Sequence, residues 1–160
     1  SSQHRSHPTL FALISNAPRQ QWNILVWNIR GINSDDKLLA IKNAINACGC
    51  DVICVQETKC SSFDLAYVKT FCPRRFDKFA FVPSQGASGG LVTIWKSSVF
   101  SGNVIFSSDF ALVITFTSTL SAHTWTLANI YGPCSGDARL TFTNWLYDLV
   151  TPHARLAFTL

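Results

Sequence analysis

Ile24-Leu25-Val26-Trp27-Asn28-Ile29 and, after a helical interval, Val52-Ile53-Cys54-Val55-Gln56-Glu57 are the stretches that decide the fold. Both runs are apolar on each face, as in interior parallel strands covered on both sides rather than a half-wet ribbon. The interval from Asp35 to about Cys48 reads as an amphipathic helix. Asn33 or Ser34 can cap it, Asp35 and Asp36 sit at the positive end of its dipole, and Gly49 can stop it. Leu38, Ile41, Ile45 and Cys48 fall on one stripe, with Leu39 beside them. The whole is a βαβ unit in which the polar residues Asn28 and Glu57 stand where the strands stop. Parallel neighbours about 4.8 Å apart bring both tips to one sheet edge, where open α/β sheets place their chemistry.

Outward from this unit, Ser1 to Gln20 is polar, contains Pro8 and Pro18, and reads as a flexible lead-in to one domain over residues 21–160. Ser61 or Ser62 can cap a short helix from Asp64 to Phe71. Arg74, Arg75 and Lys78 among Phe71, Phe76 and Phe79 read as a solvated turn between core rings in preference to a phosphate-backbone contact. Phe79–Val82 and Leu91–Lys96 read as a hairpin with a long glycine-bearing tip. Three further strands follow, over Val104–Phe106, Ala111–Thr117 and Thr124–Tyr131, the last with Trp125, Leu127, Asn129 and Tyr131 on one face. Ser135 or Asp137 can then start a helix to about Val150, with Phe142, Trp145, Leu146 and Leu149 as its apolar stripe.

The 160 residues suffice to bury a core, and 48% apolar against 14% charged residues excludes a disordered chain. A net charge of +4 is compatible with a polyanionic partner without requiring one. The six cysteines lack the paired spacings of a zinc site and the regularity of a secreted scaffold, so an intracellular, reducing compartment is expected. With no run of about 18 apolar residues, a membrane span is not expected. The sequence points to no protein partner.

Trp27-Asn28-Ile29-Arg30-Gly31-Ile32-Asn33, Val55-Gln56-Glu57-Thr58-Lys59 and Asn129-Ile130-Tyr131-Gly132-Pro133 resemble, in their order, motifs of the endonuclease/exonuclease/phosphatase superfamily. The flavour is that of endonuclease domains of plant LINE-type (non-LTR) retrotransposons. Singly, a strand-end glutamate, an asparagine after a strand and a Tyr-Gly-Pro turn have structural explanations; together, inside three ordered motifs, they point to a catalytic site. The resemblance implies an α/β domain of the DNase I-like, four-layer α/β/β/α sandwich type, hydrolysing DNA phosphodiester bonds with Mg²⁺ (or Mn²⁺), as in target-site nicking by a retroelement. It implies nuclear localisation, with DNA as substrate. Glu57 would anchor the metal, Asn28 would bind or orient it, and Tyr131 would donate to a phosphate oxygen. Arg30, Asn33, Lys59 and Ser88 would contact nucleic acid.

The family's later motifs, a Gly-Asp-Phe-Asn strand end and a Ser-Asp-His, do not occur in these residues. The chain therefore reads as the N-terminal part of the sandwich, truncated, and inactive by itself; the alternative is a non-catalytic remnant or a nucleic-acid-binding fragment. A second sheet built largely from the missing half would leave Phe79–Val82, Leu91–Trp95 and Ala111–Thr117 presenting an apolar face to water.

Overall fold

The computed structural model describes residues 8–16, 19–131, 137, 140, 141, 144 and 154–159. Strand β2 (Arg19–Asn28), helix α1 (Asp35–Cys48) and strand β3 (Val52–Gln56) form the expected βαβ unit, with β2 and β3 parallel from Ile24 opposite Val52 to Asn28 opposite Gln56. Ser34 is the cap of α1, accepting from Lys37 N–H, and Gly49 ends it at φ +60°. Ile41 and Ile45 are fully buried and Leu38 and Cys48 pack beside them, whereas Leu39 is 57% exposed and lies off the stripe.

The segment expected to be a lead-in forms strand β1 (Thr9–Asn16), antiparallel to β2 and in register from Thr9 opposite Val26 to Asn16 opposite Arg19. Pro8, one of the two prolines that suggested coil, immediately precedes β1, where the missing N–H costs no ladder bond; Pro18 lies outside the described residues. Helix α2 (Leu65–Val68) is shorter than expected and is capped by Asp64, not by Ser61 or Ser62. Strands β4 (Lys78–Val82) and β5 (Leu91–Trp95) complete a first sheet in the order β1-β2-β3-β5-β4, with β5 antiparallel to both β3 and β4.

A second sheet comes from the same chain. Strands β6 (Phe100–Ser108), β7 (Ala111–Ser118), β8 (Thr124–Tyr131) and β9 (Ala154–Thr159) lie in that order, antiparallel except for the parallel pair β8–β9. Trp22, Ile24, Val26, Val52, Cys54 and Leu91 of the first sheet close against Phe100, Leu112, Ile114, Phe116, Trp125 and Leu127 of the second. Aromatic edges lock the middle of this core, with Trp95 5.3 Å from Phe116 and Phe100 5.4 Å from Trp125. The expected wet apolar face is therefore absent from β5 and β7: every residue of β5 is buried, and so are Ala111 to Ile114. The covering strands β6 to β9 come from these residues, so the inner core is closed by the chain itself.

On its far side the first sheet packs Leu25, Trp27, Ile53, Val55 and Ile94 against α1 and the α2 region. Helices α1 and α2 outside the first sheet, with the two sheets face to face, give three layers of the expected α/β/β/α sandwich among the described residues. The helix expected from Ser135 or Asp137 to Val150, with its stripe, lies largely outside the described residues. No helix among the described residues is long and apolar enough to cross a membrane. Cys48, Cys50, Cys54, Cys60 and Cys72 carry free thiols, and burial pushes Cys54 and Cys72 up to about 12, so both are neutral core groups at pH 7.

Candidate active site

Because β2 and β3 run in parallel and end opposite each other, the segments that follow them leave the sheet at one edge. They stay tied beyond the strands: Ile29 N–H donates to Gln56 O, Gly31 N–H to Glu57 O at 2.7 Å, and Ile32 N–H to Thr58 O. On the other side Thr58 N–H donates to Gly90 O and Lys59 N–H to Gly89 O at 2.9 Å, so three loops form one hydrogen-bonded rim.

That rim is strained. Arg30, Glu57 and Lys59 have φ of 54°, 52° and 55°, in the left-handed region that non-glycine residues seldom occupy. Each such residue costs about 1–3 kcal/mol and persists only where its surroundings over-determine it, a condition that clusters at functional sites. Gly90, at φ +95°, makes the close approach possible: a Cβ there would collide with Thr58 Oγ1 and come within 3.3 Å of Lys59 N. Gly90→Ala is accordingly expected to lower stability by about 2–3 kcal/mol, read from a denaturant melt. An unchanged midpoint would show that the rim yields freely.

Glu57, half-buried, lines a cleft of about 420 Å³ together with Lys59, Ser88, Asp109, Phe110 and Tyr131. Two of the three expected catalytic residues thus meet on one wall although they come from different sheets. Tyr131 N–H donates to Phe110 O at 2.8 Å, which fixes the end of β8 against the β6–β7 turn. Asn28 is not on the cleft wall; it stands opposite Gln56 at the end of β2, and its Oδ1 is buried without a hydrogen-bond partner. Of the expected nucleic-acid contacts, Lys59 and Ser88 are on this wall, while Arg30 and Asn33 are not. Asn33 instead clasps the loop, donating to Lys59 O at 3.3 Å and accepting from Cys60 Sγ at 3.1 Å.

What joins the two sheets beneath the cleft is a buried polar bridge. Gln56 Nε2 donates to Asn129 Oδ1 at 2.8 Å, and Asn129 Nδ2 donates to Val92 O at 3.0 Å and Thr93 Oγ1 at 3.1 Å. Gln56 and Asn129 are both fully buried. Gln56 immediately precedes Glu57 and Asn129 is two residues before Tyr131, so the bridge sets the spacing of the two candidate side chains. Sequence reading placed Asn129 on the Tyr131 face but gave it no partner, and it missed Asp109, whose only signal was a polar turn.

The donors at this edge are hard oxygens. A cation such as Mg²⁺ takes one or two carboxylates and keeps several waters, which suits Glu57 with the unpartnered amide oxygen of Asn28. Among the described residues no group of three or more His, Cys, Asp or Glu comes together to hold a metal by itself.

Comparison with known proteins accords with this architecture. The model of the endonuclease/exonuclease/phosphatase family matches residues 25–156. Solved structures of similar fold include the AP endonuclease LMAP of Leishmania major, 18% identical, with a TM-score of 0.56 over 87% of this chain and 50% of that one. The Xenopus laevis APE2 catalytic domain is 21% identical, with a TM-score of 0.52 over 79% of this chain and 51% of that one. The human Nocturnin catalytic domain, solved with a bound sulfate anion, is 11% identical, with a TM-score of 0.60 over 93% of this chain and 65% of that one. The chain spans about half the length of the first two. Comparison with curated proteins gave no match. By its family match, the chain belongs to the endonuclease/exonuclease/phosphatase family.

Proposed function

We propose that this domain serves Mg²⁺-dependent hydrolysis of DNA phosphodiester bonds, as the target-nicking endonuclease of a LINE-type retroelement acting in the nucleus. The observation that carries the reading is the meeting of Glu57 and Tyr131, from opposite sheets, on a cleft that also holds Lys59 and Ser88. Glu57 would hold the metal, with Asn28 beside it through its amide oxygen. When bound, the metal neutralises phosphate charge and favours ionisation of its water. The Tyr131 hydroxyl donates to a phosphate oxygen, Lys59 supplies a positive charge, and the bridged sheets keep these groups at fixed spacing.

Within these 160 residues neither Gly-Asp-Phe-Asn nor Ser-Asp-His occurs, and no described carboxylate cluster replaces them. Proton transfer by a positioned base is commonly worth about 10²–10⁴ in rate. The purified chain is therefore expected to nick supercoiled plasmid at background rate in Mg²⁺. Robust nicking abolished by Glu57→Gln would show that these residues contain a complete catalytic set. The same lack of a carboxylate cluster favours a second reading, a non-catalytic nucleic-acid-binding fragment. DNA binding that is indifferent to Glu57 would support it.

A further inference from the structure

Cys48-Gly49-Cys50 closes α1 and leads into β3, at the end of that strand away from Glu57. We propose that these two cysteines form a dithiol site that small-molecule disulfides oxidise to an intramolecular disulfide, a modification independent of the phosphodiesterase reading.

The geometry starts with the glycine. Gly49 has φ +60° and ψ +35°, the mirror image of helical backbone, and a Cβ there would meet nothing within 4 Å. Helical geometry of either hand, with a radius of about 2.3 Å and a rise of about 1.5 Å, sets Cα atoms two residues apart at about 5.4 Å. A disulfide requires about 4.4–6.8 Å, so the backbone already suits the bond. The side chains agree: the Cys50 thiol is in hydrogen-bond contact with the Cys48 sulfur, and Cys48 Sγ donates in turn to Ile45 O at 3.7 Å. Asn23 fixes the turn from β2, donating through Nδ2 to Gly49 O at 3.4 Å and through its N–H to Asp51 Oδ2 at 3.0 Å. Other thiols are engaged differently, Cys54 with Thr93 and Cys60 with Asn33.

Exposure divides the roles. Cys48 is half-buried and Cys50 fully buried. Burial pushes the Cys50 thiol up, with the Cys48 sulfur beside it adding to the shift, while Lys96 opposes it. Cys50 is therefore a sheltered, neutral thiol, and Cys48 is the one that meets the oxidant. The Cys48 sulfur attacks one sulfur of glutathione disulfide, and the other half leaves as glutathione carrying the Cys48 proton. The Cys50 sulfur then attacks Cys48 Sγ, forming the internal bond and expelling the second glutathione with the Cys50 proton. The protein gives up two electrons and two protons, and the oxidant is reduced to two thiols. A ring closed across one residue is strained, so reducing thiols reopen it, as befits a labile disulfide and not a structural one.

The test treats the 160-residue chain with glutathione disulfide, blocks the remaining thiols by alkylation and maps peptides by mass spectrometry. In the peptide that holds Cys48 and Cys50, both should escape alkylation and the mass should fall by about 2 Da, the two hydrogens lost, with dithiothreitol restoring both thiols. Cys50→Ser should halt with one glutathione on Cys48, and Cys48→Ser should leave Cys50 unmodified. A stable glutathione adduct on Cys48 in the unsubstituted chain overturns the proposal, as does a bond from either residue to another cysteine, or two thiols that alkylate as before. The map of the unsubstituted chain decides the matter even where a variant fails to fold.

Discussion

Asn129→Leu is expected to lower the unfolding free energy by about 3 kcal/mol, the largest stability effect anticipated for a single polar side chain here. The leucine leaves Gln56 Nε2 without its acceptor and Thr93 Oγ1 without its donor, both inside a core where water does not substitute. Each buried group left unsatisfied costs about 1–3 kcal/mol, whereas replacing both partners by apolar groups of similar shape is close to neutral. Gln56→Leu with Asn129→Leu should therefore recover much of what either single change loses. Denaturant melts of the four proteins form the cycle, and simple additivity would show that the two side chains do not act as a pair. A cooperative but weakened Asn129→Leu protein also reports on the site, since the bridge is what ties the ends of β3 and β8 together.

For Glu57→Gln, the expected result is a loss of at least about tenfold in Mn²⁺ affinity, measured by the electron paramagnetic resonance of the free ion. Unit charges 4 Å apart interact by about 4 kcal/mol at an effective dielectric near 20, and about 1.4 kcal/mol already corresponds to tenfold. Glutamine keeps the shape of the side chain and the backbone demand at φ +52°, so the change isolates the charge. Asp109→Asn is the companion variant because Asp109 shares the cleft. A loss confined to Glu57→Gln assigns the metal to the end of β3. An unchanged affinity in Glu57→Gln would place any metal elsewhere and remove the basis of the proposed mechanism. Equal losses in the two variants would make the site a two-carboxylate one, with the β6–β7 turn as part of it.

The sequence by itself determined the parts whose causes are local. The bounds of α1 and β3 follow from an amphipathic stripe between capping residues and from an apolar run bounded by polar ends, and both match residue for residue. The parallel pairing of β2 with β3 follows too, since two strands apolar on both faces and joined by a helix have to be buried side by side. That placed Asn28 and Glu57 at one edge. The tertiary structure alone decided whatever depends on partners distant in the chain. Thr9–Asn16 became a strand because β2 offered it an open edge, which its own composition did not announce. The inner faces of β5 and β7 are dry because β6 to β9 form a second sheet against the first, and no periodicity specifies which sheets will face each other. Gln56 and Asn129 are 73 residues apart, and Asp109 reaches the cleft through a turn. Hydrophobic period sets which face of an element is buried, but the partner of a buried polar group is chosen only when the sheets close, because only then must each donor find its acceptor.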